Sequence, residues 1–417
     1  MSVFNFFGPS VFLISSFLLV SLLIFSNGVG LNLITNVAVS DIFIFDSLSF
    51  YLLTLVFLLG SCCILSMGSS FNVNTKIFLL LSLFFSGVCF CVNHAVLFWC
   101  FYELSMLPLL YLIFKDSPYS ERFIAGWYFT VYLLVTSLPL ILALLYLGSV
   151  NGTFSFTGWS EGAAPWGLYI VLCFVFFTKV PLSPFHTWLP IVHAEATSIV
   201  SIFLSGYIMK LGLLGVFRCG SFLFSSWFYP YLFFCCVLSI FFIITASTEM
   251  DGKRWLAFLS LSHIVVAFLA FFSCSWETVS LSFIFCLGHG LSAGLVFGLL
   301  WLFYDTTNSR NWLLLKDGVS GNAILLSCLL ALLSLCSFPP TLQFFCEVNL
   351  LMESVYSAHL VVFWCFYLFF GGLIPLVLCG HSIIRTEAVE TVGYSSVSFF
   401  MMFFYLGIWC YLSVFIL

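Results

Sequence analysis

Apolar runs of roughly 20 residues follow one another along the chain, separated by short polar breaks. Thirteen segments are predicted, at about 10–28, 43–66, 76–92, 94–114, 123–149, 166–190, 198–217, 227–247, 254–273, 278–303, 323–352, 358–379 and 395–417. Each is long enough to cross a hydrocarbon layer of about 30 Å. Inside lipid the backbone must satisfy its own hydrogen bonds, which leaves helices or a closed barrel. The runs are continuous and do not alternate with period two, so they read as helices. Only the polar pair Asn93-His94 separates the third segment from the fourth, which predicts a tight turn.

Two segments are interrupted by proline. The sixth contains Pro181, Pro184 and Pro190 within FTKVPLSPFHTWLP, and the eleventh contains Pro339-Pro340 within SLCSFPPTLQFFCEVNLL. Each proline removes a backbone donor and clashes with the carbonyl one turn earlier. Prolines are also simply tolerated in membrane helices, but here the interrupted segments stand five apart. Taking 76–217 and 227–379 as two five-helix repeats makes the broken helix the fourth member of each. An odd number of helices forces the second copy to be inverted, and paired breaks in two halves mark inverted-repeat transporters. Residues 1–75 then form N-terminal helices and 395–417 a C-terminal helix. The register is unequal, because Lys179 precedes its prolines and Glu347 follows its pair.

Composition agrees with a chain that lies almost wholly in lipid. Of 417 residues, 63% are hydrophobic and 6% charged, against about 25% charged in soluble domains. The mean hydropathy is +1.21. The expected class is an all-α polytopic membrane protein. A net charge of −5, scattered along the chain, points to no nucleic-acid partner. Basic residues divide unevenly between the loops. Loops after even-numbered segments hold Lys76, Lys115, Arg122, Lys253, Arg254, Arg310, Lys316 and Arg385, whereas odd loops hold only Arg218. The positive-inside rule therefore puts the N-terminus and the even loops inside and the C-terminus outside. The opening MSVFNFFGPS has neither a basic n-region nor a cleavage site of small residues, so the chain is expected to insert without a cleaved leader.

The 17 cysteines show no C-x-x-C pair and no zinc spacing. They read as small apolar helix residues rather than ligands for an iron–sulfur cluster. No glycine-rich fingerprint follows a strand, so no nucleotide site is expected.

Four charges stand well inside segments: Glu103, Lys179, Lys210 and Glu347. His263 and His289 are also flanked by apolar residues. A charge at the bilayer centre costs about 3 kcal/mol on insertion scales, and by default such residues mark an ion or proton path. Other readings apply to each. Lys179 and Lys210 can snorkel, Glu103 can be a structural salt-bridge partner, and a lone histidine is often a satisfied core residue. Asp46 lies close to a segment start and reads as structural. His186 and His193 flank the end of the broken sixth segment, near the expected interface. The chemistry suits protons. A desolvated lysine gives up its proton readily, a nearby carboxylate reverses that, and histidine titrates near neutrality. Sodium would favour converging carboxylates, hydroxyls and carbonyls, and the broken helices offer free carbonyls.

The runs FWCFYELSMLPL, DSPYSERFIAGWYFT, TSLPLIL, KVPLSPFHTWLPIVHAEAT and SGYIMKLGLLGVFR, with LSLSHIVVAF, GHGLSAGLVF and FPPTLQFFCEVNLL further on, closely resemble the antiporter-like subunit family of respiratory complex I. That family also includes the multisubunit sodium/proton antiporters. The likeness runs from about residue 41 to 352. It implies two inverted five-helix repeats, each with a broken helix, in a family that usually has fourteen helices, so one N-terminal helix is expected to be missing. By motif, Glu103 resembles the glutamate that pairs with the broken-helix lysine, here Lys179. Lys210 matches the central lysine, and His263 and His289 match the central-axis histidines. Glu347 matches a glutamate typical of the subunit-four group, where subunits two and five tend to have lysine.

The resemblance implies a proton-translocating subunit in the membrane arm, in the mitochondrial inner membrane. It implies antiporter-like subunits two and five, accessory subunits and lipids as partners. NADH, FMN, iron–sulfur clusters and ubiquinone would be bound by other subunits, with no redox centre in this chain. Two alternatives stay open: a stand-alone sodium/proton antiporter component, and a structural spacer with statically paired charges.

Overall fold

A computed structural model describes residues 38–160, 164–220, 228–274, 278–314, 321–383 and 395–413. The first predicted segment, 10–28, lies outside the described residues, as do Lys316 and Arg385. Each of the other twelve segments coincides with a helix or with a helix broken in two. A short antiparallel pair, β1 (Ala38–Val39) and β2 (Ile44–Phe45), is the one named sheet among the described residues, so the chain there is helical but for this hairpin.

The helices are α1 (Ser47–Met67), α2 (Val73–Cys91), α3 (Ala95–Asp116), α4 (Arg122–Asn151), α5 (Trp166–Lys179), α6 (Trp188–Glu195) and α7 (Ser198–Cys219) in the first half. They continue as α8 (Tyr229–Thr248), α9 (Gly252–Ser273), α10 (Ser280–Thr307), α11 (Gly321–Leu335), α12 (Leu342–Ser354), α13 (Ala358–Ile383) and α14 (Ser395–Leu412). Among the described residues nine of these are long and apolar enough to cross a membrane, and α5, α11 and most of α14 are shorter apolar helices. The two proline breaks fall where the sequence puts them, between α5 and α6 and between α11 and α12.

Local chemistry sets several ends. Asp46 caps α1 by accepting from the Ser49 N–H, while the Ser49 hydroxyl oxygen accepts from the Asp46 N–H, a reciprocal arrangement that satisfies two otherwise orphaned donors. Asp46 also pairs with Arg218 at 3.2 Å, so its structural reading holds. The turn at Asn93-His94 is fixed by the Asn93 amide, which donates to Ser40 O and Thr157 Oγ1.

The polar contacts sort onto two faces. On one, Thr75 meets Asp116, Ser117 meets Glu195, Lys253 meets Ala196, and Arg310 meets Glu195 and Asp251. All of these belong to even loops or their edges. On the other, loops one, three, five and seven meet through Asp46–Arg218, Asn93–Thr157 and the bridge of His94 to Ser155. The even–odd alternation read from the charges is thus reproduced in space. Lys253 is a departure: its basic position reads as a loop, yet its side chain is buried, donating to Ala196 O at 2.8 Å and to the Tyr119 hydroxyl at 3.3 Å.

α7, α9 and α10 form the axis of the bundle. Every residue in the apolar windows of α7 and α10 is buried, and 83% in α9, against 33% in the peripheral α13. A lysine or histidine on this axis cannot snorkel to water.

Candidate functional site

The first break opens at Lys179, the last residue of α5, and helix resumes at Trp188. Two carbonyls within the break find side-chain partners. The Trp188 indole donates to Thr178 O at 2.9 Å, and the Tyr231 hydroxyl donates to Ser183 O. Lys179 turns away from the break toward α3, where its ammonium meets Glu103 Oε1 at 3.0 Å. The Lys179 side chain is fully buried and that of Glu103 nearly so. The second carboxylate oxygen, Oε2, has no hydrogen-bond partner among the described residues. The face of the Tyr102 ring lies 3.9 Å from the same ammonium. Gly212 on α7 allows this approach, because a Cβ there would fall 2.7 Å from Val180 Cγ2 and 3.3 Å from Lys179 Cβ.

Lys210 lies on α7 just after a wide π turn, Leu204–Ile208, a feature often found at functional sites. Its ammonium donates to the Ser205 carbonyl at 2.5 Å. Four ion pairs occur among the described residues, and Lys210 is in none of them. It is fully buried. The rings of His263 (α9) and His289 (α10) stand 5.0 Å apart, and among the described residues neither ring nitrogen of His289 has a hydrogen-bond partner.

The second break follows α11. Ser337 takes a left-handed conformation (φ 52°) and donates its hydroxyl to Glu347 Oε1 at 2.8 Å. Gln343 Nε2 donates to the same oxygen at 3.2 Å and lies 3.1 Å from His263 Nδ1. The Tyr367 hydroxyl on α13 is 2.6 Å from that nitrogen, and Ser292 donates to Gln343 Oε1 at 3.3 Å. Gly288, next to His289, lets α10 reach this network: a Cβ there would sit 3.2 Å from the Gln343 backbone nitrogen.

The six residues singled out in the sequence are all buried, and they fall into three groups. Glu103 and Lys179 are paired. Lys210 stands apart with the two histidines nearby. Glu347 reaches His263 through Gln343. Among the described residues no direct hydrogen bond joins Lys179 to Lys210, or Lys210 to His289. His193 is fully buried and stacks on Phe297 at 5.0 Å, and among the described residues neither of its ring nitrogens has a hydrogen-bond partner. Gln343, Tyr367, Ser337 and Tyr102 are new to the site. Gln343 carries a legible signal, since it precedes Glu347 by four residues and so shares its helix face. Tyr367 carries none, being 104 residues from His263. Among the described residues no group of three or more histidine, cysteine or acidic side chains could hold a metal ion, and the 17 cysteines are free thiols.

Residues 92–374, which contain all six of these residues, match the family described as NADH:quinone oxidoreductase/Mrp antiporter, transmembrane. The chain belongs to this family. It is similar to NADH-ubiquinone oxidoreductase chain 4 of Ceratitis capitata, 29% identical over 81% of this chain and 78% of that one. It resembles the chain 4 of Acanthamoeba castellanii at 29%, over 75% of this chain and 66% of the relative. In fold it is similar to a chain of respiratory complex I from Thermus thermophilus, with a TM-score of 0.77, 21% identity, and coverage of 88% of this chain and 82% of that one. A chain of the Mrp complex from Dietzia sp. DQ12-45-1b follows at a TM-score of 0.73, 16% identity, and coverage of 92% and 76%. The all-α polytopic membrane fold of the NADH:quinone oxidoreductase/Mrp antiporter family is therefore the fold of this chain.

Proposed function

We propose that the chain is a proton-translocating subunit in the membrane arm of a mitochondrial NADH:ubiquinone oxidoreductase, driven by redox chemistry held on other subunits. The observation that carries this reading is Lys210: a fully buried lysine that is in none of the ion pairs among the described residues, on a helix packed against the first break through Gly212. A buried ammonium is costly, and an unpaired one is more costly still. A reversible proton site accounts for that cost.

In this reading Glu103 and Lys179 form a gating pair. Closing the pair stabilises the charged lysine, and opening it releases a proton. Lys210, His289 and His263 relay along the axis, with water crossing the gaps that protein groups leave. Glu347 terminates the path, joined to His263 through Gln343. Residues 76–217 and 227–379 would be the inverted repeats, with α5–α6 and α11–α12 as their matched broken members. The even-loop face would be the matrix side of the inner membrane. NADH, FMN, iron–sulfur clusters and ubiquinone would sit on other subunits, and antiporter-like subunits two and five, accessory subunits and lipids would surround the chain.

A sodium/proton antiporter component is the second reading, supported by kinship with the Mrp complex chain. The first break argues against a sodium cage there, because Thr178 O and Ser183 O already accept from Trp188 and Tyr231. A purely structural spacer accounts for Lys179 but not for the unpaired Lys210. The test is Lys210→Met in the assembled enzyme. Protons moved per electron should fall while uncoupled NADH oxidation persists, and an unchanged ratio would overturn the relay.

A further inference from the structure

We infer that Tyr102 is a positioning residue for Lys179, a second seat whose ring face holds the ammonium independently of Glu103. The inference rests on the proton-translocating reading above. Tyr102 and Glu103 are consecutive on α3, and the Lys179 ammonium lies against both, 3.9 Å from the ring centroid and 3.0 Å from Oε1. Of the five cation–ring contacts among the described residues this is the shortest. The Tyr102 side chain is fully buried, and among the described residues its hydroxyl has no hydrogen-bond partner. A buried tyrosine ordinarily finds one, so the hydroxyl does not explain why the ring is here. The ring is steadied by Phe98, one turn earlier, at 5.8 Å.

The two seats differ in kind. The carboxylate attracts the ammonium only while it is itself ionised. If the proton of the pair moves from Lys179 Nζ to Glu103, both partners become neutral and their attraction disappears. If instead a proton reaches Glu103 from outside the pair, the lysine keeps its charge and loses its counter-ion. The ring quadrupole cannot be neutralised by a proton, and it attracts the cation but not the free amine. Tyr102 therefore keeps a charged Lys179 at the break when Glu103 is discharged, and releases it once the amine is neutral. Position and charge of the lysine become linked.

The test compares Tyr102→Leu, Tyr102→Phe and Lys179→Met in the intact enzyme, reading protons moved per electron and the amount of assembled complex. The expected results are a loss in Y102L toward the level of K179M, retention in Y102F, and no further loss when Y102L is added to K179M, since residues acting through one contact are not additive. Tyr102→Met, closer in length, replaces Y102L if that variant does not assemble. A wild-type ratio in Y102L alongside a lowered one in K179M overturns the ring's role and leaves the proton reading standing. A loss in Y102F equal to that in Y102L assigns the effect to the hydroxyl, an additive loss on K179M assigns it to packing, and either overturns the ring's role too. A wild-type ratio in K179M removes the reading on which both rest.

Discussion

Gln343 lies one helical turn before Glu347 on α12 and donates its amide nitrogen to the Glu347 carboxylate at 3.2 Å. That same nitrogen is 3.1 Å from His263 Nδ1 on α9. An amide carries two hydrogens on one nitrogen and does not titrate. It can therefore hold a carboxylate and an imidazole at fixed separation without storing a proton itself. This bond ties the second helix break to the central axis, whereas the first break is tied to α3 by an ion pair.

Replacing Gln343 by leucine removes both of these bonds and the one from Ser292, and leaves Glu347 with Ser337 and the neighbouring Tyr367. We expect a modest loss of stability, about 1–3 kcal/mol for polar groups left unsatisfied. We also expect a clear fall in protons moved per electron. Thermal denaturation of the purified enzyme separates the two effects. A full ratio in Gln343→Leu would show that the amide is only a packing element.

Lys210→Met should uncouple stability from function. Methionine fills a similar volume, and removing an unpaired buried charge is neutral or stabilising by about 1–4 kcal/mol. The variant should assemble at least as well as the wild type and unfold at an equal or higher temperature, while pumping is lost. A fall in the unfolding temperature would mean that the bond to Ser205 O is structural.

Much of the fold can be read along the chain because lipid permits so few solutions. Segments two to thirteen each recur as a helix or a broken pair, and the even–odd alternation of Lys115, Arg122, Lys253 and Arg310 reappears as one polar face. Charges on buried helices were also legible, since a lysine in mid-segment is too far from either end for snorkelling to be an easy explanation. The connecting groups were not. Tyr367 meets His263 only because α13 packs on α8 beside α9, and Tyr102 looks like any aromatic in a chain that is 20% aromatic. The burial of His193 was not legible either, because its place beside a break says nothing about which helices pack around the half-helix α6.

The Glu103–Lys179 pair predicts asymmetric costs. Glu103→Gln leaves Lys179 charged and buried with only the Tyr102 ring and a weaker amide dipole. Breaking such a pair on one side costs about 3–5 kcal/mol. Adding Lys179→Met should restore most of that stability, because the double variant buries no charge, yet it should not restore pumping. Measuring unfolding for both singles and the double yields the coupling. Additive losses of stability would mean that the two residues do not interact in the working enzyme.

Arg310 predicts a second coupling, on the even-loop face. Its guanidinium donates to Ala194 O at 2.7 Å and pairs with Glu195 at 3.2 Å and Asp251 at 3.3 Å. It also lies over the Tyr119 ring at 4.4 Å. One side chain thus joins the end of α6, the start of α9 and the loop after α10, and so anchors the free end of the broken helix. Arg310→Gln strands the buried Glu195 carboxylate. Because the guanidinium is 31% exposed, we expect a loss of about 2–3 kcal/mol, below the value for a fully buried pair. Glu195→Gln in the same chain should recover a large part of it, since no charge is then left buried at that position. Urea unfolding of the two variants at low and high salt decides the matter. A loss that Glu195→Gln does not reduce would place the anchoring in the Ala194 bond and the Tyr119 contact rather than in the ion pair.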